Sequence, residues 1–177
     1  MRAEADRARI EQFMRELGMR VRGTGNIYLT GGGTAVLAGW REMTIDVDLK
    51  AAPEPPGFFE AIAALKDAVG VNVELASPDD FIPELPGWRE RSAFIARHGG
   101  LDFHHYDFYA QALAKIERGH ARDLADVKSM IERRLIERSE LRRLFEIIDP
   151  KLIRYPAIEP AAFRAAVLAV CESGAGL

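Results

Sequence analysis

Cysteine is nearly missing from this chain. Cys171 stands alone among 177 residues, which excludes an internal disulfide and argues against a cysteine-ligated zinc centre. It lies in the apolar tail "AAVLAVCES" and reads as a packed thiol rather than a nucleophile. Long hydrophobic runs are missing too. No stretch approaches the roughly 18 apolar residues that span a bilayer. The opening "MRAEADRARIEQFMREL" is charged throughout and lacks the apolar region of a signal peptide, so the expectation is a cytoplasmic protein with no membrane partner. Nor does one sign of charge dominate: 24 Lys and Arg against 27 Asp and Glu leave a formal charge of -3. Such a surface is not coated in positive charge, although a local basic patch stays possible. No repeat or low-complexity tract is visible.

What is present is ample material for a core, with 48% hydrophobic and 29% charged residues, a balance that argues against global disorder. Ile10, Phe13, Met14 and Leu17 recur at helical spacing and predict an amphipathic helix ending near Gly18. "NIYLT" reads as a strand, "TAVLAGW" as a small-residue helix and "MTIDVDLK" as a strand with one wet face. After the proline-rich "AAPEPPG" come a helix, "FFEAIAALKDAV", and another alternating strand, "GVNVELAS". "PDDFIPELPGW" is a loop, and "AFIARHGGLDFHHYDF" predicts two strands about Gly99 and Gly100. Helices are expected over 108–118, 122–137, 139–148 and 160–173, with Pro160 in a first turn. The fold class is therefore α+β: a mixed α/β half over 1–107, then a helical half over 108–177 packed on it as one compact unit.

Two features carry chemistry. On a strand, Asp46 and Asp48 share a face, with Cα atoms roughly 6.5–7 Å apart. Two carboxylates ~4 Å apart repel by about 4 kcal/mol at an effective dielectric of ~20. Protonation, a basic partner or a divalent cation must relieve that. Ile45, Val47 and Leu49 fall on the other face and predict a packed strand. In "VNVEL", Asn72 and Glu74 repeat the pattern. If the two strands are neighbours, Asp46, Asp48 and Glu74 form an all-oxygen cluster suited to Mg²⁺ or Mn²⁺ rather than zinc. The bland alternative is the solvent face of an edge strand. The second feature is "TGGGT", between a strand and a helix, where backbone N–H groups can cradle an anion. It matches neither G-x-G-x-x-G nor the P-loop pattern, and by itself it reads more simply as a tight turn.

Together, "LTGGGTAVLAG…TIDVDL" and "VNVEL" resemble the signature of the DNA polymerase beta-type nucleotidyltransferase superfamily, with Thr34–Ile45 as the spacer between glycines and acids. "ALAKIERGHARDLADV" resembles the helical segment of abortive-infection-type toxin nucleotidyltransferases, with Lys115 followed by Arg122, Asp123 and Asp126. The chain is also similar to a compact bacterial branch of these enzymes. The resemblance implies a nucleotidyltransferase-fold mixed sheet. It further implies a metal site at Asp46, Asp48 and Glu74, phosphate binding by Gly32, Gly33 and Thr34, and a catalytic, triphosphate-binding Lys115. The implied reaction moves a nucleoside monophosphate from an NTP to a hydroxyl of RNA (tRNA among the candidates) or protein, with Mg²⁺ or Mn²⁺ as cofactor. A toxin role with an antitoxin partner follows from the same likeness. The alternatives are an antitoxin-like minimal enzyme that modifies a partner toxin, and a non-catalytic nucleotide-binding module.

Other signals point more to architecture. Asp123 and Asp126 also suit a buried ion-pair and capping network. His104 and His105, adjacent on a strand, face opposite ways and cannot share a metal. Arg133, Arg134, Arg138, Arg142 and Arg143 interleave with Glu132, Glu137 and Glu140 and predict a salt-bridged, solvated face. Trp40 and Trp88 flank loops that could stack on a base, with packing the plainer reading.

Overall fold

The computed structural model describes residues 3–174 and is α+β, with a mixed sheet and packed helices. The chain divides into two compact units, residues 1–77 with 92–106 and residues 78–91 with 107–177. The sequence reading assigned all of 1–107 to one half of a single unit. The Pro-rich segment 78–91 instead groups with the helical residues.

In the first unit, β1 (Ala5–Asp6) leads into α1 (Arg7–Arg20), followed by β2 (Gly25–Thr30) and α2 (Gly31–Ala38). Then come β3 (Met43–Thr44), β4 (Asp46–Ala51), α3 (Phe58–Ala68) and β5 (Asn72–Glu74), and after the excursion β6 (Ala93–His98) and β7 (Leu101–His105). The five-stranded sheet runs β5-β4-β2-β7-β6, and β1 pairs with β3 in a separate two-residue ribbon. β2 is antiparallel to β4 and parallel to β7, β4 is parallel to β5, and β6 is antiparallel to β7.

Period-2 alternation gives this sheet two unlike faces. Ile27, Leu29, Val47, Leu49, Val73, Leu101 and Phe103 bury one face in a core shared with Ile10, Phe13, Met14 and Leu17 of α1 and Phe58, Ile62 and Leu65 of α3. Asn26, Tyr28, Thr30, Asp46, Asp48, Lys50, Asn72, Glu74 and His104 occupy the alternate positions and form the polar face. α1 approaches the β6–β7 turn closely. A Cβ on Gly18 would overlap the backbone of His98, and one on Gly100 would stand 2.9 Å from the Gly23 carbonyl carbon and closer to its oxygen.

The second unit holds α4 (Trp88–Arg91), α5 (Phe108–Arg118), α6 (Ala121–Glu132), α7 (Arg138–Ile148) and α8 (Pro160–Glu172). Asp107 caps α5 by accepting from the Tyr109 N–H at 3.1 Å. Its buried carboxylate also takes two hydrogen bonds from Arg91, at 3.0 and 2.7 Å, tying α4 to the start of α5. Burial nonetheless raises the Asp107 pKa against that pairing. α7 turns Leu141, Leu144, Phe145 and Ile148 inward. On its outer side Arg143 grips Glu140 and Arg142 meets Glu146, so the far end of the basic run is salt-bridged, while Arg138 donates to the Val170 carbonyl at 3.3 Å. Burial raises the Cys171 thiol pKa, in keeping with a packed residue. No helix among the described residues is long and apolar enough to cross a membrane.

Candidate functional site

β4 starts one residue later than the alternation predicts. Ile45 breaks the strand between β3 and β4 and is 42% exposed, so it does not join Val47 and Leu49 in the core. Thr44 bridges the break, its hydroxyl donating to the Asp46 carbonyl at 2.9 Å. From Asp46 onward the alternation holds. Val47 and Leu49 are fully buried, while Asp46 and Asp48 are half-buried on the polar face.

β5 lies directly beside β4, with Asp46 opposite Asn72 and Asp48 opposite Glu74. On the other flank, Asp48 is opposite Thr30, the last residue of β2. Residues opposite one another in a ladder point to the same side, so the three acids of two adjacent strands share a face. The Asn72 side-chain amide donates to the Asp46 carboxylate in a very short contact, which orients Asp46. Glu74 is exposed. Among the described residues, no group of three or more His, Cys, Asp or Glu side chains converges as a ready-made metal cage. The donor set itself, carboxylate oxygens on an open polar face, fits a hard divalent cation.

The three glycines are helical. α2 begins at Gly31, not after the glycines, so the expected turn is its first turn. Packing explains the composition. A Cβ on Gly31, which has φ of +59°, would collide with the Asp48 carboxylate. One on Gly32 would collide with the Thr44 side chain, and one on Gly33 would stand 3.4 Å from Val47 Cγ1. The glycines let α2 lie against β3 and β4 and bring its positive end to Asp48, where a negative charge is stabilised. Thr30, at the N-cap, makes no side-chain capping bond, and no acid lies in that first turn.

Within the expected phosphate set, Thr34 and the two glycines differ in surroundings. Thr34 is fully buried, its hydroxyl donating to the Leu29 carbonyl at 2.9 Å. His105 Nδ1 lies 3.2 Å from the same oxygen. With the threonine proton committed to Leu29, the contact requires His105 to carry its proton on Nδ1. Burial first, and then the charge of Arg7, lowers the His105 pKa to about 4, so the ring is neutral. Thr34 therefore holds α2 to β2 and β7. Gly32 and Gly33 are buried, and only their N–H groups, directed toward the helix start, are suited to an anion.

Lys115 sits in an ion-pair network. In the second unit its ammonium is buried and donates to Asp126 at 2.7 Å, with Asp123 at 3.7 Å. Arg118 clamps Asp123 through two hydrogen bonds, at 2.7 and 2.5 Å. Although burial opposes it, the Arg118 hydrogen bonds and charge, with Lys115, hold the Asp123 carboxyl below its usual range. Asp123 sits in the first turn of α6 but does not cap it, since the N-cap is His120. Two cations on α5 and two carboxylates on α6 make this a neutral clamp between the helices. Trp88 is buried with the Arg89 guanidinium 4.6 Å above its ring, which fits packing.

Two cations at the acid site escaped the sequence reading. Lys50 lies two residues beyond Asp48 on the same face, and continuing the alternation through "DVDLK" finds it. Arg41 Nη1 stands 3.2 Å from where a Gly32 Cβ would be, a placement no local pattern announces. Arg41 also lines an open groove of about 470 Å³ with Asp6, Arg7, Glu11 and Glu42. Some of that groove's charges are already engaged: Asp6 caps α1 through the Arg9 N–H, and Arg7 pairs with Glu11. Comparison with family models, with curated proteins and with solved structures finds no match to this chain.

Proposed function

We propose that this protein is a nucleotidyltransferase of the DNA polymerase beta type, moving a nucleoside monophosphate from an NTP to a hydroxyl of RNA or protein. One observation carries the reading: the strand register sets Asp48 opposite Glu74, with Asp46 on the same face, beside the glycine start of α2. Acidic oxygens and a helix N-terminus at one place are what a metal-bound triphosphate needs.

Asp46 and Asp48 would hold Mg²⁺ or Mn²⁺, with Glu74 completing the donor set. When bound, divalent ions stabilise the entering and leaving oxygens of an in-line displacement. The chain's own groups do the remainder. Asn72 fixes the Asp46 carboxylate, and the Gly32 and Gly33 N–H groups receive phosphate oxygens. Arg41 and Lys50 offset negative charge from the α2 side and the sheet face. Glu74, the most exposed acid, takes the proton of the acceptor hydroxyl as its oxygen bonds to the α-phosphorus and pyrophosphate departs. The proposal needs no part from Lys115.

In a cell this chemistry suits the toxin of a toxin–antitoxin or phage-defence pair. Incubation with each α-³²P NTP, Mg²⁺, total RNA and cell protein tests the reaction, and label in either acceptor pool is expected. NTP binding without transfer to any acceptor would refute the enzyme and leave a nucleotide-binding module. Growth arrest on expression that Asp46→Ala removes tests the toxin role.

A further inference from the structure

The polar face of the sheet carries a second row beside the acids. Thr30, Asp48 and Glu74 lie side by side across β2, β4 and β5. Two residues away along the strands, Lys50, Tyr28, His104 and Phe94 lie side by side across β4, β2, β7 and β6. The three rings are in contact. Tyr28 stacks on His104 with centroids 5.1 Å apart and planes 23° apart, and Phe94 meets His104 edge-on at 5.8 Å. The row is deepest at Tyr28, which is buried, and opens at Phe94, which is 60% exposed.

Phe94 is held there by a break in the alternation. The β6–β7 register shifts between Phe94 and Ala96, so Ile95 is an extra residue. Ile95 and Ala96 both pack against the core, while Phe94 stays over His104 on the opposite, polar face. Bulges of this kind re-aim a side chain. Asn26 fixes the histidine, its Oδ1 lying 3.2 Å from His104 Nε2. Burial lowers the His104 pKa, against the nearby Asp102 charge and the Ser92 backbone, so the ring is neutral near pH 7 and presents an uncharged π surface.

We propose that Phe94 and His104, backed by Tyr28, form a stacking platform for a nucleobase. With strands about 4.8 Å apart, His104 and Phe94 lie roughly 10–16 Å from Asp48, a gap that an extended nucleotide bridges. Lys50 forms the β4 end of the ring-bearing row, two residues beyond Asp48, where a phosphate backbone would cross. A stacked base needs no particular hydrogen-bond pattern, so the platform selects nucleotides as a class. The inference rests on the nucleotidyl-transfer reading of the acids. The base belongs to the donor NTP or to the acceptor end, and the test separates the two.

The test is calorimetric titration of the whole protein and of Phe94→Ala with Mg²⁺ and each NTP, with inorganic triphosphate, and with a short single-stranded oligonucleotide. Phe94 is exposed on an edge strand, and an unchanged melting temperature verifies the fold of the variant. The expected result is about tenfold weaker binding of NTP or of oligonucleotide, with inorganic triphosphate unaffected. Loss confined to NTP assigns the donor base, and loss confined to oligonucleotide assigns the acceptor base. Phe94→Trp is expected to retain or tighten the affected ligand. Equal binding of every ligand by wild type and Phe94→Ala overturns the platform and leaves the acid site standing. Failure of the wild type to bind any of them overturns the nucleotidyl-transfer reading itself.

Discussion

Removing one partner of the Lys115–Asp126 pair gives the sharpest test of the energetics described above. Both side chains are buried and 2.7 Å apart. Asp126→Asn leaves the ammonium without its nearer counter-charge. Asp123 remains 3.7 Å away, but Arg118 already occupies it. Breaking a buried pair on one side costs about 3–5 kcal/mol, and the residual Asp123 attraction argues for the lower end, near 3 kcal/mol. In a chain of 177 residues, each kcal/mol moves Tm by about 2–4 °C, so Asp126→Asn should melt about 6–12 °C below wild type. Lys115→Met should fall by a similar amount, because it removes the ammonium that bonds Asp126 at 2.7 Å. The double variant Lys115→Met/Asp126→Leu removes both charges at once and should return to within about 1.5 kcal/mol of wild type. Differential scanning calorimetry compares the four proteins. A shift below 2 °C in the single variants, or a double variant no better than either single, would refute the buried-pair reasoning. Labelled transfer by a refolded double variant then asks whether Lys115 also serves chemistry.

Asp48→Asn should abolish labelled transfer while keeping the fold, with a Tm equal to or slightly above wild type, since a repulsive charge leaves the face; retained transfer would exclude Asp48 from the reaction. Gly32→Ala should lose about 1–3 kcal/mol in urea unfolding, because the added methyl overlaps Thr44, and unchanged stability would mean α2 is not packed as described. His105 has a folded pKa of about 4 against an ordinary 6.5, so the unfolded chain binds its proton first and stability falls as pH drops from about 6.5 to 4. The full effect is at most about 3 kcal/mol, and His105→Asn should flatten that limb of the pH–Tm curve.

The long elements could be read directly because their patterns span several turns. The α1 stripe, the end of α5 and the start of α8 fall where apolar spacing, Gly119 and Pro160 place them, whereas α1 runs past the expected stop at Gly18 to Arg20. The side-by-side acids were legible only in part. Alternation fixed Asp46 with Asp48 and Asn72 with Glu74, but no local signal says that β5 lies parallel to β4 in that register. The glycine helix was misplaced because Gly disfavours helices, and the close approach that requires it is tertiary. β1 and β3, two residues each, are too short for any periodicity, and the same brevity hid the break at Ile45. Lys115 and Asp126 are eleven positions apart, and only a helix–turn–helix fold brings their charges together. Phe94 was invisible as a polar-face residue because the bulge shifts the alternation on which such a reading depends.

The β1–β3 ribbon has a practical bearing. Ala5 pairs with Thr44 and Asp6 with Met43, so these two residues brace the short link that carries the glycine helix into the acidic strand. A purification handle fused ahead of Met1 would hang from that brace and tug on Thr44. Attachment after Leu177 keeps the load off it, and an activity assay comparing the two fusions would register the difference.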